Sequence, residues 1–401
     1  MKILIVNKFL YPNGGSETYI FDIGKKLVEM GHEVQYFGME SENRVVGNQA
    51  ESYTSSMDFH AGGIQKLLYP FKIIYSEEAR KKIRVVLDDF KPQAVHLNNI
   101  NFQLTPSIIY EVRKWEKQNK CKVKLVYTAH DSQWVCPNHL LMIPATKELC
   151  FKCKGGKYVE CAKNKCIHNS GVKSFLGSAE AYLYKFLRVY DKVDVVICPS
   201  HFMERVLSTN PLISNKLLMM HNYCTVDSHK AVEKKDFVLY FGRYSEEKGI
   251  DILLKACERL PEIPFVFAGD GPLKEKVERL ENVENRGFLK GEQLRTLIAE
   301  AKFAVIPSAC YENCPFTVIE AQKLGTPVIA SDLGGIPELI DIGKTGEVFE
   351  AADVEMLTEK IFSLWSEDEK SKSYSENCRK KPFDSLDEYC EKLVKVYQKG
   401  L

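Results

Sequence analysis

Along the chain, short apolar runs alternate with longer segments whose apolar residues recur every three or four positions. Ile3 to Val6 is the first such run, and Ile20, Ile23, Leu27 and Met30 then fall on one helical face. Ser16 is placed to cap that helix and Gly31 to end it. Val34–Phe37, Ala94–Leu97, Val123–Thr128, Val193–Cys198 and Leu217–Met220 continue the strand series. A second series starts at Phe237–Phe241 and runs through Phe265–Ala268, Phe303–Pro307, Pro327–Ala330 and Glu347–Phe349. Short apolar strands separated by helices predict parallel sheets covered on both faces. Two such series in succession predict an α/β chain of two Rossmann-like domains with parallel sheets facing a central cleft. Residues 1–222 and 223–380 are the expected domains, joined within the polar stretch Asn222–Asp236. A last helix in 381–401 shows Leu386, Tyr389, Leu393, Val396 and Tyr397. It can pack on either domain, and a return to the first is the expectation.

Bulk properties narrow the picture. Domains run ~100–200 residues, so 401 residues suit two of them. A net charge of +1 argues against a broad nucleic-acid surface, which leaves a basic excess. No stretch approaches the ~20 apolar residues of a membrane span. The start, Met1 to Asn7, is too short and too soon polar for a signal peptide. The expected location is therefore the cytoplasm, with peripheral contact at the inner membrane face as an extension. Thirteen cysteines should then be mostly reduced.

Ligands of open α/β sheets bind beyond the carboxyl ends of the strands, so the loops there carry the chemistry. The most informative segment is Pro307-Ser308-Ala309-Cys310-Tyr311-Glu312-Asn313-Cys314-Pro315-Phe316-Thr317-Val318-Ile319-Glu320. It reads strand, loop, helix. Pro315 suits the first helical position, which leaves the N–H groups of Phe316, Thr317 and Val318 to cradle a diphosphate. Glu320 lies one turn on, placed to accept both hydroxyl protons of a ribose, and Glu312 lies in the loop before. The plain alternative is a capped helix with two solvated glutamates. In Tyr240-Phe241-Gly242-Arg243-Tyr244-Ser245-Glu246-Glu247-Lys248-Gly249, Arg243 and Lys248 share one strand-to-helix loop. Two cations there can hold a diphosphate and stabilise it as it leaves; two surface cations is the alternative. Ala268-Gly269-Asp270-Gly271-Pro272 is a strand ending in a tight turn. Arg286-Gly287-Phe288 follows a short strand and can set backbone and an aromatic ring against a base.

The two glutamates, the Gly-Arg…Lys-Gly loop and Gly-Asp-Gly-Pro together resemble the retaining GT-B glycosyltransferases of family 4. The likeness spans the second domain; the first fits more loosely, through Gly14-Gly15 before the first helix and a strand ending at Ala129-His130-Asp131. The resemblance implies transfer of a sugar from a nucleotide-diphosphate sugar, a UDP- or GDP-sugar, to a saccharide or lipid-linked acceptor. It implies retention of anomeric configuration and a place in polysaccharide or glycolipid biosynthesis. It gives Arg243 and Lys248 the diphosphate, Glu320 the ribose and Glu312 the transferred sugar. Gly14 and Gly15 would bring backbone to the phosphates, and His130 would sit near the reacting sugar or act as a structural histidine at its strand end. The first domain would be the acceptor side. No catalytic metal is required if the cations supply the charge. Asp88-Asp89 sits on a helical pattern and reads as a solvated helix end rather than a metal motif. One departure is visible: Asn313-Cys314-Pro315-Phe316 stands where many relatives carry a Phe-Gly pair.

An insertion over 136–168 holds Cys150, Cys153, Cys161 and Cys166, flanked by Cys136 and His168. Four thiols at this spacing can surround one structural zinc; unliganded thiols and disulfides are the alternatives. Its lysines, Lys152, Lys154, Lys157, Lys163 and Lys165, suit an anionic acceptor or a lipid surface, or simply water. Ile64–Phe90, with Leu67, Leu68, Phe71, Ile74 and Tyr75, is a second candidate for bilayer contact or core packing. Two other functions compete. An oxidoreductase would want Gly-x-Gly-x-x-Gly in the first strand-to-helix turn, where only Asn13-Gly14-Gly15-Ser16 stands. A catalytically inactive nucleotide- or zinc-binding protein on the same fold would have no need of Arg243, Lys248, Glu312 and Glu320 together.

Overall fold

The computed structural model describes residues 1–55, 74–226 and 232–399. It divides into two compact units, Met1–Met220 with Leu386–Leu401, and His221–Ser385.

In the first unit, β1 (Lys2–Val6), β2 (Glu33–Phe37), β3 (Ala94–Leu97) and β4 (Lys124–Thr128) precede a short antiparallel hairpin, β5 (Met142–Ile143) and β6 (Glu148–Leu149). Strands β7 (Val195–Cys198) and β8 (Leu217–Met219) complete the sheet. Its order is β2-β1-β3-β4-β7-β8, with every pairing parallel. Ile3 pairs with Val34 on one side and Ala94 on the other. Ile3, Leu4, Ile5 and Val6 are fully buried, as a strand covered on both faces requires.

Two local expectations change here. The first helix spans Gly15–Glu29 with Gly14 at its N-cap, so Ser16 is not the cap. Ser16 lies in the first turn, where its hydroxyl donates to Glu17 Oε1 and accepts from Asn99 Nδ2. Strand β7 starts at Val195 because Tyr190–Lys192 closes a 3-10 turn immediately before it. Asp88 is also more than a solvated helix end: it accepts from Arg84 Nε at 2.9 Å and from Trp115 Nε1 at 2.8 Å. The helix Glu77–Phe90 buries Ala79, Ile83, Val86, Leu87 and Phe90. That half of the Ile64–Phe90 segment is core; Leu67, Leu68 and Phe71 lie outside the described residues.

The terminal helix, Leu386–Gln398, packs on this unit with Tyr389, Cys390, Leu393 and Tyr397 fully buried. Buried hydroxyls need partners, and they form a chain. Tyr397 Oη lies 2.7 Å from His96 Nδ1, and His96 Nε2 lies 2.7 Å from Thr128 Oγ1. Thr128 Oγ1 is 3.2 Å from Tyr19 Oη, which is 2.9 Å from Tyr389 Oη. Burial lowers the His96 pKa to about 3, so the ring is neutral and can donate through one nitrogen and accept through the other.

In the second unit, β9 (Lys235–Phe241), β10 (Phe265–Ala268), β11 (Val283–Asn285), β12 (Ala301–Ile306), β13 (Val328–Ser331) and β14 (Gly346–Phe349) form one parallel sheet. The order is β11-β10-β9-β12-β13-β14. Counted along this unit alone, that is the Rossmann order, which reverses between its first and fourth strands, here β9 and β12. Side chains alternate between two cores. Leu239, Phe241, Ala304 and Ile306 pack with Val318 and Ile319, whereas Tyr240, Phe265, Phe267, Phe303 and Ile329 pack on the other face. Of the expected join, residues 227–231 lie outside the described part of the chain.

Candidate active site

The carboxyl edge of the second sheet is a laced set of loops. After β9, Gly242 N–H donates to Ala268 at the end of β10, and Tyr244 N–H donates to Asp270 at 2.8 Å. Gly269 N–H donates to Gly287, which follows β11. Tyr244 Oη and Gly287 N–H both donate to Asn285 Oδ1. The loop after β12 joins through Ala309 N–H, which donates to Glu247 at 3.0 Å. The loop after β13 joins through Gly335 N–H, which donates to Glu312 at 2.8 Å.

Several close approaches at this edge need glycine, and two of them flank Glu312. At Gly249 the backbone is left-handed, φ 73°, and a Cβ would sit 1.8 Å from the Pro307 carbonyl oxygen. At Gly334, φ 64°, a Cβ would sit 2.1 Å from the Glu312 carbonyl oxygen. The first clamps the Lys248 loop onto the Glu312 loop, and the second clamps the Glu312 loop from its other side.

Between those clamps, Lys248 Nζ lies 2.6 Å from Glu312 Oε1, and Ser308 Oγ donates to the same oxygen at 3.1 Å. Burial works against the lysine charge, but the Glu312 carboxylate outweighs it and holds the pKa above the ordinary value. Lys248 is a fixed cation at the strand-order reversal. Arg243 stands exposed on the same loop, where its carbonyl accepts from Tyr240 Oη at 2.8 Å. Phe288 is 75% exposed beside Gly287.

The helix beyond is Phe316–Lys323, one residue later than expected: Pro315 is its N-cap rather than its first turn. Val318 N–H donates to the Pro315 carbonyl at 3.2 Å, so it is not open to a ligand. Phe316 and Thr317 keep N–H groups without acceptors inside the helix. The Phe316 ring packs on Tyr223, centroids 5.4 Å apart. Glu320 lies one turn on, on the Phe316 face. Cys314, at the departure from the family pattern, is structural: it is buried, its sulfur accepts from Asn222 N–H, and its carbonyl accepts from Asn222 Nδ2 at 2.7 Å.

The first unit has its own carboxyl edge. Its strand order reverses between β1 and β3, and the loop after β1 carries Gly14 and Gly15. A Cβ at Gly15 would meet nothing within 4 Å, and one at Gly14 only Glu17 Oε2 at 3.5 Å. The loop is held by Asn7, whose amide donates to Glu17 Oε1 at 2.9 Å and accepts from Asn99 N–H at 3.0 Å. His130 follows β4. Its Nε2 lies 2.8 Å from Asn98 Oδ1, while Asn98 Nδ2 donates to backbone carbonyls. The amide oxygen must accept, so Nε2 carries the proton. Burial lowers the His130 pKa to about 4, so the ring is neutral at pH 7, with Tyr19 in a T-shaped contact, ring centroids 4.9 Å apart.

Residues 13–223 match the family described as Glycosyltransferase Family 4, and residues 225–381 match Glycosyl transferases group 1. The chain belongs to glycosyltransferase family 4.

Among curated relatives of this family-4 chain, the sulfoquinovosyl transferase SQD2 of Arabidopsis thaliana is 36% identical over 33% of this chain and 27% of its own length. The O-antigen chain mannosyltransferase C of Escherichia coli is 32% identical over 36% of this chain and 41% of its own. The gpi3 subunit of the phosphatidylinositol N-acetylglucosaminyltransferase of Schizosaccharomyces pombe is 22% identical over 98% of this chain and 79% of its own. The first of these relatives thus align over well under two thirds of their length. Among solved structures, HepE from Anabaena in complex with UDP has a TM-score of 0.67 at 16% identity, covering 99% of each chain. Sucrose-phosphate synthase from Thermosynechococcus elongatus has a TM-score of 0.68 at 16% identity, covering 99% of this chain and 98% of its own. These likenesses give the fold, two parallel-sheet α/β domains of the GT-B class.

The cysteine-rich insertion of the family-4 chain forms one cluster. Cys153, Cys161 and Cys166 are buried with Ile143 and Tyr158, and Cys150 packs against them. Burial pushes the Cys153 thiol up to about 12. Among the described residues, no group of three or more His, Cys, Asp or Glu is arranged to hold a metal ion. Cys161 and Cys166 hydrogen-bond side chain to side chain, and Cys136 lies close to both.

Several supporting residues carried no sequence signal. The Gly334 clamp at Glu312 and the bond from Asn99 N–H to Asn7 join loops far apart in the chain, while Ser308 shares the Glu312 loop. Asn7, directly after β1, and Asn98-Asn99, directly after β3, stood where a strand-end rule could have found them.

Proposed function

We propose that this chain transfers a glycosyl group from a nucleotide-diphosphate sugar to a saccharide or lipid-linked acceptor, with retention at the anomeric carbon. The observation that carries the reading is the Lys248–Glu312 pair, fixed between two glycine clamps at the reversal of the second sheet. A cation held there suits a diphosphate, and a developing negative charge on the leaving group is what it would stabilise most. UDP in HepE and the transferase names of the relatives favour the same class of donor.

In this proposal Lys248 and Arg243 bind the diphosphate, joined by the Phe316 and Thr317 N–H groups at a helix N-terminus. Glu320 accepts the ribose hydroxyls, and Gly287 and Phe288 lie against the base. Glu312 orients Lys248 and contacts the sugar. The bond from the anomeric carbon to the diphosphate oxygen breaks as the acceptor oxygen bonds on the same face. The acceptor proton passes to the leaving diphosphate. The cations of the loop supply the charge that a metal ion would otherwise bring. In the first unit, neutral His130 donates through Nε2 to Asn98 and keeps Nδ1 as an acceptor, suited to a sugar hydroxyl. Gly14 and Gly15 leave room for a ligand's phosphate.

The test is nucleotide release across a panel of UDP- and GDP-sugars, with the anomeric configuration of the product read by NMR. The expected result is release from one donor class and a retained product. Release from no donor by a folded, nucleotide-binding chain favours the inactive binding protein instead, and an inverted product overturns the proposed step.

A further inference from the structure

The helix Gly171–Phe186 of the first unit presents its apolar side to water and its polar side to the core. Ser174, Ser178 and Glu180 are buried along one face, with Gly177 and Tyr184. On the other, Val172, Phe175, Tyr182 and Phe186 are exposed by 71%, 64%, 40% and 84%. With Ala179, these positions recur at intervals of three and four, which makes one continuous stripe. A surface helix in water has the opposite arrangement.

The orientation is fixed by hydrogen bonds. Ile167 N–H donates to Ser174 Oγ at 2.8 Å, Ser178 Oγ donates to the Tyr158 carbonyl at 2.8 Å, and Tyr184 Oη donates to the Ile74 carbonyl at 2.7 Å. Turning the phenyl rings inward would break all three and leave buried polar groups unpaired.

The surroundings are basic. Positions 145–192 hold ten Lys and Arg against four Asp and Glu, in a chain whose net charge is only +1. One of the four, Glu180, is buried with its pKa raised to about 8. The cysteine-rich loop adjoins the stripe: Val159 N–H donates to Tyr182 Oη, and Lys185 Nζ donates to the Gly156 carbonyl. Lys152, Lys154 and Lys157 are exposed on that loop, and Lys173 and Arg188 flank the helix.

We propose that this face seats the chain on an anionic lipid bilayer, with Phe175 and Phe186 entering the headgroup region and the lysines meeting the headgroups. Rings and cations side by side are what an interfacial helix uses. No helix among the described residues is long and apolar enough to cross a membrane, so the contact is superficial. A bilayer fits better than a second copy. The exposed side chains of the stripe present on the order of 500 Å², at ~150–250 Å² for a whole aromatic side chain, against about 800 Å² per partner in a stable protein interface. Two like-charged basic rims would also repel. The inference does not depend on the transferase reading.

The full chain is spun with phosphatidylcholine vesicles, with and without phosphatidylglycerol. Wild type is expected to sediment with the anionic vesicles in a salt-sensitive way and weakly with the neutral ones. Phe175→Ser with Phe186→Ser should weaken binding at least ~10-fold without lowering the melting temperature, since both rings are already in water. Lys154→Glu with Lys157→Glu should weaken binding to anionic vesicles by ~10-fold or more and leave neutral vesicles unchanged. If the phenylalanine variant does not fold, the lysine variant decides. Wild-type sedimentation by either folded variant, or no vesicle binding by wild type, overturns the proposal. A wild-type dimer that the phenylalanine variant dissociates, without vesicle binding, assigns the face to a second copy.

Discussion

Gly249 and Gly15 stand at corresponding places, each in the first strand-to-helix loop of its sheet, yet they meet opposite surroundings. A Cβ at Gly249 would run into the Pro307 carbonyl at 1.8 Å, whereas one at Gly15 would meet nothing. The second sheet's edge is built before any ligand arrives. Its loops are tied to one another, and its Lys248–Glu312 pair is in place. The first sheet's edge is tied as well, by Asn7, Glu17 and Asn99 and by Lys8 N–H donating to the Asn99 carbonyl, but it leaves Gly15 clear, and its ring at His130 is neutral. A glycine is therefore two different statements: close packing within the protein in one loop, and room left over in the other.

The sharpest way to break the contrast is to remove the charge. Lys248→Ala is expected to lower kcat/KM for nucleotide release by ~10²–10³, in the range of a lost preorganised donor at a developing anion. Unchanged turnover would leave the second edge without a catalytic role. Gly249→Ala should then cost about 1–3 kcal/mol of stability, because a side chain at positive φ meets backbone that cannot yield. Urea unfolding reads this directly, and a midpoint equal to wild type would contradict the clamp.

Glu180 tests the first unit's interior. Its folded pKa, raised to about 8 by burial, lies above the unfolded 4.5. Stability is therefore full below the unfolded value and declines as pH rises towards 8. Glu180→Gln should raise the unfolding free energy at about pH 9, by up to a few kcal/mol, and give no gain at about pH 4, as read by urea unfolding. A pH-independent effect would show that the carboxyl is not the group titrating. His130 has the opposite sign. Its pKa is lowered from 6.5 to about 4, so stability is complete above 6.5 and falls as pH drops towards 4. His130→Gln should flatten that acid slope slightly, as read by melting temperature from pH 7 to 4, and a slope equal to wild type would remove the ring from the account. The smallest expected effect is Gly15→Ala, within about 0.5 kcal/mol in stability, with donor binding weakened nonetheless. Equal loss at Gly15 and Gly249 would erase the comparison.

Most strands were legible because they are short, mainly apolar runs: Ala94–Leu97 and Phe265–Ala268 fall where the pattern put them. Helix starts were less so. Ser16 sits two steps and Pro315 one step from the expected position, because local cap preference is weaker than the backbone path that the neighbouring loops impose. The cysteine spacing suggested ligands, and the fold gathers Cys150, Cys153, Cys161 and Cys166 in one cluster, but spacing alone says nothing of the Ile143 and Tyr158 that share it.

The order of residues alone determined two α/β series, the family motifs and which strand ends carry charge, since periodicity and strand-end chemistry are local properties. The tertiary structure alone decided that Lys248 meets Glu312, 64 positions further along the chain, and that Ser308 joins them. It also decided that Leu386–Gln398 closes on the first unit and that the helix at Phe175 faces outward. Those outcomes depend on which polar groups find partners when distant segments pack, and a hydrophobic pattern along one segment does not contain that information.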